Sequence, residues 1–302
     1  MDVVVTGSSG FIGSALLPAL RDAGHRPIRA VRGRDAGSDS IAWDPIAGTI
    51  DAAGLEGVPA VVHLAGAGIA DKRWTADRKR LILKSRTVPT RLLATTLAGL
   101  TTPPKVLVSS SAIGYYGSRG DETLTESSKP GDEFVSDVCL QWEAAAQPAA
   151  TAGIRLALIR TGLVLGREGG VLKRLLTPFR LGIGGKLGKG NQWMSWISLV
   201  DEIRAIIFAL ENSDISGPIN LTAPNPVTNA EFTTTLGKVL QRPTFLPTPV
   251  TPLKALYGSE LVNHLLLEGQ RVIPERLNAA SASTSGFAFS HPTLEVALRA
   301  IV

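Results

Sequence analysis

The sequence holds a single cysteine, Cys139, among its 302 residues. One thiol cannot close an intramolecular disulfide or build a multi-cysteine metal centre, so no metal is expected and a reducing compartment fits. Long apolar runs are also missing. Nothing approaches the roughly 20 residues of a bilayer span, and no leader-like segment precedes the first apolar stretch, so the expectation is a soluble, cytoplasmic chain away from membranes. Internal repeats, low-complexity segments and blocks of like charge are absent. The net charge of +5 therefore reads as dispersed surface charge, which suits an anionic small molecule, and nucleic acid is not expected as a partner. With 44% hydrophobic residues the chain can bury a large core, as one α/β unit or as a domain with a lobe.

Residues 3–13, VVVTGSSGFIG, organise the rest. Val3, Val4 and Val5 are β-branched and apolar on both faces, as a strand in the middle of a parallel sheet must be. Gly7, Gly10 and Gly13 follow at TGxxGxxG spacing. Gly7 permits a tight turn, Gly10 admits a pyrophosphate to the backbone, and Gly13 lets the next helix pack close to the strand. That helix, about residues 11–23, shows apolar periodicity at Ile12, Leu16, Leu17 and Leu20. The stretch from Gly7 through Ser9, Gly10, Phe11 and Ile12 to Gly13 is the candidate phosphate cradle of a dinucleotide site. The competing reading is a purely structural turn.

A second strand is expected at 27–31 (PIRAV), and the residues after it choose the cofactor. An acid roughly 20 positions beyond the glycines would bind the NAD 2′-hydroxyl, whereas an arginine accommodates the NADP 2′-phosphate. Arg32 and Arg34 occupy that place, so NADP(H) is expected, with Asp35 on the ribose as the alternative. Residues 41–44 suggest a short strand and 58–64 a buried one. Leu64, Ala65 and Gly66 at its carboxyl end are candidate cofactor contacts, and His63 reads as a core histidine rather than a base.

Residues 75–97 read as a helix with Leu81, Leu92, Leu93 and Leu97 toward the core. Its basic residues Arg78, Lys79, Arg80, Lys84 and Arg86 read as a solvated face, from which Lys84 is the candidate to reach the cofactor. Residues 105–109 form the next expected strand, ending at Ser109, a further candidate cofactor contact, and running into Ser110 and Ser111. Hydroxyls there are placed to meet a carbonyl or alcohol beside the nicotinamide, or they merely end the strand. A helix is expected within 131–152 and a strand over 155–165. Between Arg167 and Trp196, the basic residues Lys173, Arg174, Arg180, Lys186 and Lys189 suggest an anion site, with Trp193 and Trp196 as stacking surfaces. A mobile surface loop would carry the same composition.

The blocks TGSSGFIG at 6–13, HLAG at 63–66, SSSAIGYYG at 109–117, CLQWE at 139–143, RTGLVLG at 160–166 and GGKLGKGNQWMSWISLVDE at 184–202 resemble the atypical, extended short-chain dehydrogenase/reductase superfamily. Within it, the chain resembles the "epimerase family protein" group, SDR family 39U. This resemblance implies a Rossmann doubly wound parallel sheet of about seven strands with a smaller substrate-binding lobe. The expected division is 1–166 with 195–222 for the sheet domain and 167–194 with 223–302 for the lobe. Helix pairing into homodimers is common in the superfamily.

Members usually carry a serine and a tyrosine–lysine pair four residues apart. Ser111 matches the serine, but Val135 and Cys139 stand at the tyrosine and lysine positions, and Arg86 stands where an asparagine is usual. Tyr116, ahead of Tyr115, is then the candidate acid/base, or a tyrosine packed against substrate. Cys139 could react only with a lowered pKa, against which Glu143 one turn away argues. The expected function is an NADP(H)-binding oxidoreductase or epimerase acting on a small, anionic carbonyl or hydroxyl substrate. The alternative is an NADP-binding regulator that has lost catalysis.

Overall fold

The computed structural model describes residues 1–32, 39–281 and 286–302. In chain order its elements begin β1 (Asp2–Thr6), α1 (Phe11–Asp22), β2 (Arg26–Val31), β3 (Ser40–Asp44), β4 (Thr49–Ile50), β5 (Ala60–His63), α2 (Ala76–Ala98), β6 (Val106–Ala112), β7 (Thr123–Leu124), α3 (Phe134–Thr151) and β8 (Arg155–Thr161). There follow β9 (Leu163–Leu165), α4 (Gly170–Arg180), β10 (Trp193–Met194), β11 (Trp196–Ser198), α5 (Leu199–Glu211), β12 (Gly217–Leu221), β13 (Val227–Thr228) and α6 (Asn229–Leu240). The chain closes with α7 (Val250–Tyr257), α8 (Ser259–Val262), β14 (Arg271–Val272), α9 (Glu275–Ser281) and α10 (Leu294–Ile301).

The central sheet has eight strands in the order β12-β8-β6-β5-β1-β2-β3-β4. All neighbours run parallel except β4, which returns antiparallel on β3. This is the Rossmann architecture that the sequence predicts. Val3, Val4 and Val5 are wholly buried in β1, as β-branched residues with helices over both faces should be. From β1 the chain winds outward through β2 and β3, then returns to β5 on the other side of β1. The strand order reverses between β1 and β5, and the crevice at such a reversal is where doubly wound sheets take ligands.

Helices α1 and α5 cover one face with a core that includes Leu16, Leu20, Ile203 and Ile206. Leu277 of α9 and Phe287 join that same core, so parts of the carboxyl-terminal third pack on the sheet rather than in a separate lobe. Leu93, Ala94 and Leu97 of α2 and Ala146 and Ala149 of α3 fill the other face. A further core surrounds Trp196 with Leu172, Leu176, Phe179, Phe232, Leu236 and Leu298.

Two details differ from the sequence expectation. Leu93 and Leu97 of α2 are buried as expected, but at the start of the helix it is Ile82 that is wholly buried, while Leu81 is 49% exposed. The helix turns Ile82, Pro89, Thr90, Leu93 and Leu97 inward, a stripe at helical spacing that neighbouring leucines obscure. The single strand expected over 155–165 is broken at Gly162. There the chain leaves the central sheet and β9 pairs with β11 instead, because the Gly162 backbone passes so close that a Cβ would lie 2.5 Å from the Ser195 carbonyl oxygen. Among the described residues no helix is long and apolar enough to cross a membrane.

Candidate active site at the carboxyl end of the sheet

The glycine turn closes tightly against β5. Gly7 has φ of +66°, and a Cβ on it would stand 2.8 Å from the Leu64 carbonyl oxygen. A Cβ on Gly13 would come within 2.2 Å of the Gly7 oxygen, so this position brings helix and turn into direct backbone contact. Gly10 is the α1 N-cap and offers no side-chain cap, and no acid occupies the first turn. The amides that open α1, at Phe11, Ile12 and Gly13, are thus left without a side-chain acceptor at the positive end of the helix. Ser9 and Gly10 are exposed at the lip. The Phe11 ring turns away from that lip: Cβ atoms on Gly166 and Gly169 would meet it at 2.6 and 2.3 Å. Phe11 can therefore serve a phosphate only through its backbone.

A buried chain of polar contacts fixes the exits of β1 and β5. Thr90 Oγ1 donates to the Arg86 carbonyl at 2.6 Å and accepts from Trp142 Nε1 at 3.0 Å. Its one proton being used, it must also accept from His63 Nε2, 2.9 Å away. His63 Nδ1 is then the acceptor for the Thr6 hydroxyl at 2.7 Å. Burial pushes the imidazole down to about 4, so His63 is a neutral core residue, as the sequence suggested. Leu64, Ala65 and Gly66 follow at the open end of β5. Arg32 is exposed just beyond β2, while Arg34 and Asp35 lie outside the described residues.

Lys84 is exposed. It is two residues from both Ile82 and Arg86, roughly 200° around the helix from each, and so does not face the turn. Arg86 does. The reading of Arg86 as part of a solvated face is corrected: its side chain lies against Gly66, 3.6 Å from where a Cβ would be, with its guanidinium 5.0 Å from the Trp142 ring centre. Ser109 is wholly buried and its hydroxyl has no hydrogen-bond partner, so its side chain is sealed under the site rather than open to a cofactor.

Beyond Ser109 the strand delivers Ser111 to a buried network. Ser111 Oγ donates to Glu143 at 2.6 Å, and Arg160 grips both Glu143 oxygens at 2.8 and 3.0 Å. Arg160 also donates to the Tyr116 hydroxyl at 3.1 Å, which itself donates to Asn220 Oδ1 at 2.6 Å. Tyr116 is 0% exposed, and burial pushes its phenol up to about 12. This placement does not suit a group that trades protons with a substrate, and the expectation of Tyr116 as acid/base is corrected to a buried strut. Tyr115, half-buried, lays its ring 3.4 Å from the Arg160 guanidinium carbon.

Val135 and Cys139 line up on Gly114, where a Cβ would meet Val135 at 3.5 Å and the Cys139 sulfur at 3.8 Å. The two positions that usually carry acid/base chemistry form an apolar wall. Burial, reinforced by Glu143, pushes the Cys139 thiol up to about 12, so it is not a nucleophile.

The segment between Arg167 and Trp196 is less of an anion site than its composition suggests. Lys173, Arg174, Arg180, Lys186 and Lys189 are exposed. Arg174 donates to Asp71 at 3.1 Å and to the Ala70 carbonyl at 3.0 Å. Trp196 is wholly buried and offers no stacking face. Trp193 is already covered by Arg271, 4.6 Å from its ring centre. Asp201, by contrast, orders backbone distant in sequence, accepting from the Ser290 and His291 amides at 2.7 and 2.9 Å. One further cluster has no signal in the sequence: Glu133, His264 and Glu268 bring their ligating atoms within 4.8 Å of one another.

Residues 3–221 match the family described as the NAD dependent epimerase/dehydratase family. The chain belongs to that family. Residues 248–301 match a domain of unknown function. Epimerase family protein Mb2239 of Mycobacterium bovis is 45% identical over 298 residues, covering 98% of this chain and 96% of the relative. Human epimerase family protein SDR39U1 is 38% identical over 305 residues, covering 100% of both. A crystal structure of that human protein with NADPH superposes with a TM-score of 0.90 at 37% identity, covering 100% of this chain and 99% of the other. In this chain serine stands at 111 behind the glycine turn, and Val135 and Cys139 occupy the two positions at which the resemblance leads one to expect tyrosine and lysine.

Proposed function

We propose that the chain binds NADP(H) and acts by hydride transfer on a small, anionic hydroxyl or carbonyl compound. The observation that carries the cofactor assignment is the uncapped amino terminus of α1 behind three glycines, two of which, Gly7 and Gly13, leave no room for a Cβ. A diphosphate fits such a cradle, where backbone N–H groups and the helix dipole favour negative charge. Exposed Arg32 would take the 2′-phosphate, and the cleft beyond β5 and β6 would take the nicotinamide half and the substrate. The bound cofactor supplies the hydride donor or acceptor. Ser111 commits its proton to Glu143 and is itself only 3% exposed, so a substrate hydroxyl would reach its oxygen, as an acceptor, only once the side chain is uncovered.

A second reading, a cofactor-binding regulator without turnover, is favoured by the apolar wall at Val135 and Cys139 and by the burial of Tyr116. Fluorescence titration with NADPH and NADH, on the parent chain and Arg32→Asp, tests the cofactor assignment. NADPH preference lost in the variant is expected; binding of neither nucleotide refutes it. A screen of carbonyl and hydroxyl compounds then separates the enzyme from the regulator by cofactor-dependent turnover.

A further inference from the structure

Two stretches around α4 and α7 carry charge of one sign. Residues 170–192 hold five lysines and arginines and residues 241–258 two more, with no aspartate or glutamate in either stretch. Arg174 is held by Asp71 at 3.1 Å, whereas Arg180, Lys186, Lys189 and Arg242 stand exposed. Hydrogen bonds zip the two stretches into one surface. Arg242 Nε donates to the Arg180 carbonyl at 2.9 Å, and the Thr248 amide and hydroxyl donate to the Lys186 and Gly185 carbonyls at 2.9 Å each. Gly185 permits this approach, since a Cβ there would lie 1.6 Å from the Leu246 carbonyl oxygen.

On that surface Leu181, Ile183, Phe245 and Leu246 are each more than half exposed, Phe245 by 79%. They are four of the twelve large apolar side chains exposed among the described residues, so a third of that class stands on two adjoining loops. Apolar groups gathered within a polar rim mark a contact surface. Its partner must be apolar where the four side chains enter and anionic where Arg180, Lys186 and Arg242 adjoin them. A bilayer with acidic headgroups has that order: apolar side chains reach about 5–10 Å into the acyl boundary while lysine and arginine stay at the phosphates. Side chains this exposed stand out from the surface rather than line a groove, as insertion into lipid requires and the seating of a peptide does not.

We propose that the turn after α4 and the loop before α7 dock this protein on the surface of an anionic bilayer, with Leu181, Ile183, Phe245 and Leu246 in the interface and the flanking cations on the headgroups. A surface-bound chain needs no spanning segment, so the lack of long apolar runs is no obstacle. The assignment is independent of the cofactor reading.

The test is co-sedimentation of the full chain with sucrose-loaded vesicles of phosphatidylcholine, alone or with about one-third phosphatidylserine. Binding to the mixed vesicles is expected, weakened by added salt and about tenfold or more weaker on phosphatidylcholine alone. Leu181→Ser with Phe245→Ser should weaken mixed-vesicle binding by about tenfold or more, because two inserted side chains are lost. Lys186→Glu with Lys189→Glu should do the same by removing headgroup attraction. Ile46→Ser, at an exposed apolar side chain on the β3–β4 turn, should bind within about twofold of the parent. Failure to sediment with mixed vesicles overturns the assignment and leaves an acidic protein surface as the occupant to test. Equal binding to both vesicle compositions also overturns it. Mixed-vesicle binding that survives Leu181→Ser with Phe245→Ser shows adsorption by charge alone and overturns it too. Should that variant not fold, Ile183→Ser with Leu246→Ser carries the same comparison.

Discussion

Ser111 and Glu143 share a 2.6 Å hydrogen bond, and the carboxylate at its far end is locked in a two-pronged ion pair with buried Arg160. The pair joins α3 to β8 beneath the site. Removing one partner strands a buried charge, which typically costs about 3–5 kcal/mol. Glu143→Gln should therefore unfold at markedly lower temperature or denaturant concentration, and a melting curve matching the parent would show that the pair contributes nothing.

Gly10 and Gly13 separate folding from binding. A Cβ at Gly13 would lie 2.2 Å from the Gly7 oxygen, whereas one at Gly10 would lie 3.2 Å from it. Gly13→Ala should destabilise the fold by about 3 kcal/mol, as overpacking against backbone does. Gly10→Ala should melt near the parent temperature yet lose dinucleotide affinity, because its methyl projects where a phosphate must approach. Calorimetry and NADPH titration on both variants check the contrast. Unchanged NADPH binding in a folded Gly10→Ala would count against the cradle.

Stability should fall on both sides of a mid-range pH, for opposite reasons. Burial raises Glu202 from 4.5 to about 8. Between those values the folded state holds a proton that the unfolded state has released, so this contribution is complete in acid and declines as pH rises toward 8. Burial lowers His63 from 6.5 to about 4; here the unfolded state takes up the proton first, and stability declines as pH falls through that window. Glu202→Gln keeps an acceptor for the Thr161 hydroxyl, 2.9 Å from Oε1 in the parent, and should gain stability over the parent at pH 9 but not at pH 5. The gain is a few kcal/mol at most, since each tenfold change in proton affinity is worth roughly 1.4 kcal/mol. Parallel melting profiles for parent and variant from pH 5 to 9 would mean that Glu202 is not protonated in the fold.

The parts of the site written in consecutive residues are legible in the sequence. The valine strand, the glycine spacing and the serines ending β6 each act through local backbone geometry, and the structure places the turn and Ser111 at one end of the sheet. The role of Tyr116 is not legible, because its burial is decided by Arg160 and Asn220, which are 44 and 104 residues away. Nothing near Tyr116 in sequence announces them. Arg86 is hidden among the other basic residues of α2, and only the observed phase, with Ile82 and Thr90 inward, turns it away from solvent. The break at Gly162 is likewise a tertiary event, imposed by the approach of Ser195.

The sheet is completed late in the chain. Its outer strand β12 pairs with β8 only through residues 217–221, and Leu277 is needed to fill the core beneath α1. During synthesis, a nascent chain carrying the whole glycine turn and Ser111 still presents β8 as an unpaired edge until more than two-thirds of the protein has emerged. Open edges of this kind invite pairing with other chains. The nucleotide end of the molecule is thus made first and becomes secure almost last, and a translation product that stops short of β12 should be recovered as aggregate rather than as a small nucleotide-binding domain.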